Sequence, residues 1–202
     1  MARRYPCHPT RLPPSLPPPT MRVVAARKRS LRRILSRGQI RRRVRELAAQ
    51  IRADYGGGQP PVLVGTLKGA FVFLADLVRQ VGLPLEVDFI MVSSYGMGRT
   101  SKGQITVLKD VTTDVAGRHV LLVDDIIDSG LTLQFLRDHL LSRGAASLRV
   151  CALLARERVL AEGVAIDYLG FPVPEGFVVG YGIDYAEQYR HLPDVYVLEG
   201  ER

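Results

Sequence analysis

The sequence predicts an α/β domain built on a mostly parallel sheet with helices on both faces. Three observations carry that prediction. Short aliphatic runs such as "VLVGTL" and "VLLVDD" are apolar throughout, as expected of strands buried on both sides. These runs alternate along the chain with longer segments of helical period. Carboxylates and glycines gather directly after the runs, at the carboxyl ends of strands, where open α/β sheets bind ligands.

The elements follow in order. Residues 1 to about 30 contain seven of the thirteen prolines, notably in "RLPPSLPPPT", and many arginines. Such a segment cannot build a core or a regular helix, so disorder with local polyproline character is expected. Three readings fit it: a solvated tail, a translated upstream region with the start at Met21, or a targeting or nucleic-acid arm. No apolar stretch of the kind a secretory signal needs follows the arginines. Order is expected from near Ser36, with residues 1–33 as a disordered extension and 34–202 as the folded domain. Ile40, Val44, Leu47, Ala48 and Ile51 recur at helical spacing, and "YGGG" closes that helix. "PPVLVGTLKG" is a buried strand running into a glycine-bearing loop. "AFVFLADLVRQVG" is a largely apolar helix closed by Gly82. "LEVDFIMVSSY" and "QITVLKD" are strands joined by the polar "GMGRTSKG". "RHVLLVDD" is a buried strand, and "TLQFLRDHLLSRGA" a helix with Leu133, Leu136 and Leu140 on one face and Gly144 as its stop. "LRVCALLA", "IDYLG", "FVVGYG" and "DVYVLEG" complete the strands.

Composition narrows the function classes. No apolar run reaches the roughly 18 residues of a membrane span. Cys7 and Cys151 show no metal-ligand spacing and are read as free thiols of a reducing, cytoplasmic compartment. The net charge of +8 is unevenly placed, because fourteen of the 28 Lys and Arg precede Glu46, the first acidic residue. The remainder carries fourteen basic against twenty acidic groups. A basic stripe on the folded body, which nucleic-acid binding would call for, is therefore not expected. The four histidines, His8, His119, His139 and His191, match no catalytic pattern and are read as surface residues.

The chemistry concentrates in "VLLVDDIIDSGLTL", Val120 to Leu133. Asp124 and Asp125 emerge at the end of a buried strand. Gly130 lets backbone amides approach a ligand closely. A helix opens at Thr132, and its free N–H groups and dipole favour a phosphate. Ser129 and Thr132 add hydroxyls. The result is an anion cradle flanked by acids suited to sugar hydroxyls or Mg²⁺. A plainer reading has the acids capping a helix and facing solvent. A phosphorelay receiver is disfavoured, since "LRVCALLARER" offers no phospho-acceptor aspartate at its strand end.

These residues resemble the phosphoribosyl-pyrophosphate signature of type I phosphoribosyltransferases. Together with "LKGAFVF", "SSYG", "LGFPVPEGFVVGYGIDY" and Arg190 they resemble the hypoxanthine-guanine branch of that family, from about Leu35 to Glu199. The resemblance implies a mostly parallel twisted sheet flanked by helices, a small hood made by the terminal segments, and a flexible two-strand lid. It implies that Asp124 and Asp125 hold ribose hydroxyls, partly through Mg²⁺, and that the loop Asp128, Ser129, Gly130, Leu131 and Thr132 wraps the 5′-phosphate. Asp128 would act on the purine N7 as the proton-transfer group, which argues for a 6-oxopurine base. Leu67, Lys68 and Gly69 would form the pyrophosphate loop, with a cis peptide before the lysine, and Arg190 would meet the same pyrophosphate. Phe177 would lie against the purine face and Val178 at its edge. Asp184 would hold a second Mg²⁺, and Ser94 and Tyr95 would begin the lid. Homodimers or homotetramers are the implied assemblies.

One position departs from the family pattern. A lysine that reads the purine O6 is replaced by Arg156, and the proline that commonly follows is Glu157. Arginine donates to a carbonyl but is not interchangeable with an ammonium at close quarters. The preferred purine is thus left open. A phosphoribosyl-pyrophosphate-sensing nucleic-acid regulator on the same fold, and a paralogue that binds nucleotide without turnover, are the alternatives. The uracil-type regulators generally lack an acid at the position of Asp128.

Overall fold

The computed structural model describes residues 30–95 and 104–199, the side chains of Ser94, Tyr95 and Gln104 excepted. The "GMGRTSKG" loop and most of the N-terminal extension lie outside the described residues. A six-stranded sheet runs in the order β4-β3-β2-β5-β6-β7. Its strands are β2 (Val62–Leu67), β3 (Glu86–Tyr95), β4 (Gln104–Lys109), β5 (His119–Ile127), β6 (Ser147–Arg156) and β7 (Tyr168–Val173). All neighbours pair in parallel except β3 and β4, which are antiparallel. The chain steps from β2 outward to β3 and β4, then returns to the other side of β2 as β5 and continues to β6 and β7. The strand order reverses between β2 and β5, so a crevice opens at their carboxyl ends.

The two faces of the sheet are read directly in β5. Leu121 and Val123 enter the core with helices α1 (Arg37–Tyr55) and α2 (Phe71–Val81). Val120 and Leu122 enter the core with α3 (Leu131–Ser142). This is the period-2 alternation of a strand, with both faces apolar because helices cover both. α1 supplies Ile40, Val44, Leu47, Ala48 and Ile51 to its side, all buried, as their spacing requires. Ser36 caps α1 in a capping box with Gln39.

A second sheet, β1-β9-β8, joins the two ends of the described chain. β1 (Leu31–Leu35) pairs antiparallel with β9 (Val195–Leu198), which also pairs with β8 (Val178–Val179). The expected start of order near Ser36 is therefore corrected, since the boundary at 33/34 falls inside β1. The short α4 (Glu157–Ala161) was not foreseen. Nor do all the histidines stand free at the surface. His119 lies 2.7 Å from the Ser147 hydroxyl, and His139 Nε2 lies 3.0 Å from Asp110 Oδ1, both half-buried. Cys151 is a buried free thiol whose ionisation burial opposes.

Asp88 ties β3 to the segment leading into β5. Its carboxylate accepts from the Phe89 N–H (2.6 Å), the Thr112 N–H (2.6 Å) and the Thr113 N–H (2.8 Å), with the Lys109 ammonium at 3.2 Å. Burial pushes its pKa up, but these backbone donors and Lys109 outweigh that and hold it well below the usual carboxylate range. Asp88→Ala is expected to destabilise the fold by about 1–3 kcal/mol, since the part-buried Phe89, Thr112 and Thr113 N–H groups lose their acceptor. Because the folded pKa is depressed, this stabilisation is full above about pH 4 and fades as pH falls toward the folded value. Urea midpoints of wild type and variant should therefore converge in acid and stand apart at neutral pH.

Candidate active site

The crevice between β2 and β5 holds a cleft of about 180 Å³ lined by Thr66, Leu67, Asp124, Asp125, Asp128, Ser129, Gly130 and Thr132, among others. β5 runs on to Ile127, so Asp124 and Asp125 sit within its last turns of pleat instead of beyond its end. The Thr66 hydroxyl donates to Asp124 Oδ1, and the Asp125 N–H donates to the same oxygen at 3.0 Å. Thr66 was not singled out from sequence, although it precedes the "LKG" loop on the strand facing the acids.

Asp124 and Asp125 carry the strongest electrostatic signature of the site. Burial pushes both carboxyls up, and the Asp124 charge raises Asp125 further, well above the usual range. Among the described residues no cation pairs with either. Two crowded carboxylates without a counter-charge form a donor set that suits a hard divalent ion.

The loop after β5 shapes an anion site. Gly130 takes φ +74 as the N-cap of α3, a left-handed conformation that costs glycine little. No side chain caps α3 and no acid lies in its first turn, so its free N–H groups are available to an anion. Leu131 does not line the cleft and projects to solvent. Asp128 precedes this turn with its side chain 56% exposed.

The loop after β2 meets the pair from the other side. The Leu67–Lys68 peptide is cis. Gly69 packs so closely on Asp125 that a methyl group there would overlap the carboxylate. Gly182 in turn abuts the Gly69 carbonyl and Val72. Lys68 Nζ lies 2.8 Å from Glu187, and Arg190 lies 2.7 Å from Asp184 and 3.2 Å from Glu187 while donating to the Gly182 carbonyl at 2.9 Å. Lys68 and then Arg190 hold the Glu187 carboxyl below its usual range. Glu187 was not foreseen, and it is the shared partner of the two cations. Among the described residues no group of three or more His, Cys, Asp or Glu stands ready for a metal. Asp184 is engaged by Arg190 instead of joining the Asp124 pair.

On the far side, Phe177 is 45% exposed and meets Tyr185 edge-to-face at 5.2 Å. Val178 lies in β8, opposite Val197. Arg156 is buried at the end of β6, with Nε 2.7 Å from Asp128 Oδ1 and its two terminal nitrogens donating to the Pro174 and Gly176 carbonyls. Ser94 and Tyr95 end β3 opposite Ile105 and Gln104. The site thus places an acid pair, an anion-binding helix end, a backbone loop with two cations, and an exposed aromatic around one sheet edge. That arrangement can hold a phosphorylated sugar between an anionic leaving group and a flat heterocycle.

Comparison with known proteins agrees with this geometry. The family described as Phosphoribosyl transferase domain matches residues 30–186. The chain is 45% identical over 173 residues to the hypoxanthine-guanine phosphoribosyltransferase of Aquifex aeolicus, covering 86% of this chain and 97% of that one. It is also 45% identical over 169 residues to the hypoxanthine phosphoribosyltransferase of Salmonella typhimurium, covering 83% and 95%. Among solved structures, a hypoxanthine-guanine phosphoribosyltransferase from Bacillus anthracis, with HEPES in its active site, superposes with a TM-score of 0.77 at 42% identity, over 82% of this chain and 97% of that one. A lysine-to-arginine mutant of the Trypanosoma cruzi hypoxanthine phosphoribosyltransferase, complexed with the product IMP, gives 0.75 at 38% identity, over 85% and 91%. The chain has the type I phosphoribosyltransferase fold and belongs to the phosphoribosyl transferase domain family, in its hypoxanthine-guanine phosphoribosyltransferase branch.

Proposed function

We propose that the chain joins a 6-oxopurine, hypoxanthine or guanine, to 5-phosphoribosyl 1-pyrophosphate, giving IMP or GMP and pyrophosphate. The observation that carries this is the placement of Asp124, Asp125 and Asp128 on one cleft beside the free end of α3. The α3 amides, with Ser129 and Thr132, receive the 5′-phosphate. Asp124 and Asp125 face the ribose hydroxyls and, with ligand oxygens and water, would hold Mg²⁺. Bound there, the ion would neutralise charge on the phosphoribosyl pyrophosphate. Lys68, Arg190 and the backbone around Gly69 stabilise the negative charge that grows on the leaving group. Purine N9 forms its bond to the sugar C1 as the bond from C1 to pyrophosphate breaks, and Asp128 takes the N7 proton. Phe177 offers its exposed ring to the purine face. Asp184, tied to Arg190, is read as a second metal-facing acid. Ser94 and Tyr95, at the end of β3, are read as lid residues.

In this reading the domain is preceded by an extension outside the catalytic unit, the protein works in the cytoplasm, and it assembles as a homodimer or homotetramer. Among the described residues no helix is long and apolar enough to cross a membrane. The test is product balance: with hypoxanthine, phosphoribosyl pyrophosphate and Mg²⁺, IMP and pyrophosphate should appear in equal amounts. Binding of phosphoribosyl pyrophosphate with no IMP formed would contradict the proposal and favour a sensor.

A further inference from the structure

Arg156 and Arg158 make two separate bridges between the same pair of turns. In the sheet, β6 lies between β5 and β7, so the end of β6 stands between the turn after β5 and the turn after β7. From that position Arg156 donates to Asp128 Oδ1 at 2.7 Å on one side, and to the Pro174 and Gly176 carbonyls on the other. Arg158 donates to the Asp128 carbonyl at 2.7 Å on one side and to Glu175 at 2.7 Å on the other. Arg156 of the inner bridge is buried, while the Asp128 carboxylate it meets is half-exposed; the outer bridge is half-exposed at both ends.

A buried guanidinium is costly unless its N–H groups are met, and here three acceptors meet them. Asp128 would otherwise be a half-exposed carboxylate on a glycine-bounded turn, free to rotate. With Oδ1 held, Oδ2 has no partner among the described residues and is left to accept a proton. Gly176, whose carbonyl Arg156 holds, leads directly into Phe177.

We infer that Arg156 and Arg158 are positioning residues, a double strap that makes the Asp128 turn and the 174–176 turn one rigid unit and aims the Asp128 carboxylate at the base. The inference rests on the proton-transfer role proposed for Asp128. It assigns Arg156 chiefly to the protein and not to reading the purine carbonyl, and it gives Arg158 a role.

The test compares R156M, R156K and R158A in the wild-type and D128N backgrounds. R156M is expected to lower kcat by about 100-fold, and R158A by about 5–10-fold, with KM for hypoxanthine within about threefold of wild type. In D128N, R156M should cost less than about threefold more, because residues acting as a unit are not additive. R156K should recover less than about a tenth of wild-type kcat, since one ammonium cannot span three acceptors. Amide hydrogen exchange at 128–132 and 175–177 should speed up in R158A, whose rim position keeps this arm readable even if R156M does not fold. A rise in KM for the base at unchanged kcat, equal losses in both backgrounds, full rescue by lysine, or unchanged exchange in R158A would each overturn the strap. Absence of wild-type turnover would instead strike the proposed function, and the exchange experiment would still judge the strap.

Discussion

Asp128→Asn is expected to cut turnover by about 10²–10⁴-fold while leaving the affinity for phosphoribosyl pyrophosphate within about threefold of wild type. The substitution keeps size and shape but removes the carboxylate that accepts a proton. Its amide can still hydrogen-bond Arg156 through the carbonyl oxygen, so the turn should keep its conformation. The anion site depends on the free N–H groups of α3 and the left-handed Gly130, neither of which the change touches. Steady-state kcat and a separate titration with phosphoribosyl pyrophosphate resolve the two effects. Near-normal turnover in the variant would remove Asp128 from the chemistry.

Asp125→Asn should push stability and function in opposite directions. In the ligand-free protein Asp125 is raised well above the ordinary carboxylate range, by burial first and by Asp124 second. The fold therefore disfavours its ionised form. An asparagine removes that cost and should raise the melting temperature, about 2–4 °C for each kcal/mol relieved at this chain size. The sign with pH follows from the raised folded pKa. The native state binds the proton more tightly than the unfolded chain, so wild-type stability falls as pH rises above about 4 toward the folded value. The stability advantage of the variant should thus be small in acid and grow as pH rises toward the folded value. Affinity for phosphoribosyl pyrophosphate with Mg²⁺ should meanwhile fall at least about tenfold. A variant that melts lower than wild type at neutral pH, or binds as well, would contradict this account of the acid pair.

Most of the main sheet and the acid-bearing loop were legible because local pattern and tertiary context agree there. The apolar run Val120–Val123, short and followed at once by acids, fits a strand covered twice, and the glycine after Ser129 marks the turn that α3 requires. The strand β1 was not legible. "LRRIL" is short and arginine-rich, and its partner β9 lies at the other end of the chain, with Leu31 opposite Leu198. Its existence is set by that long-range pairing and not by propensity. The same reason hid Arg158 and Glu187. Arg158 reaches Asp128 and Glu175, while Glu187 is shared between Lys68 and Arg190. A charge run in sequence does not show which loops a fold brings beside it. Arg156 was visible as a departure from the family pattern, but its partners were visible only in the structure.

The proposed function stands on transfer of a phosphoribosyl group to a 6-oxopurine. It is tested most directly by kcat/KM of the purified chain with phosphoribosyl pyrophosphate and Mg²⁺ against hypoxanthine, guanine, xanthine, adenine and uracil. Hypoxanthine or guanine should turn over, with adenine and uracil left unreacted. Turnover of none of the five, or of adenine or uracil in preference to the 6-oxopurines, would contradict it.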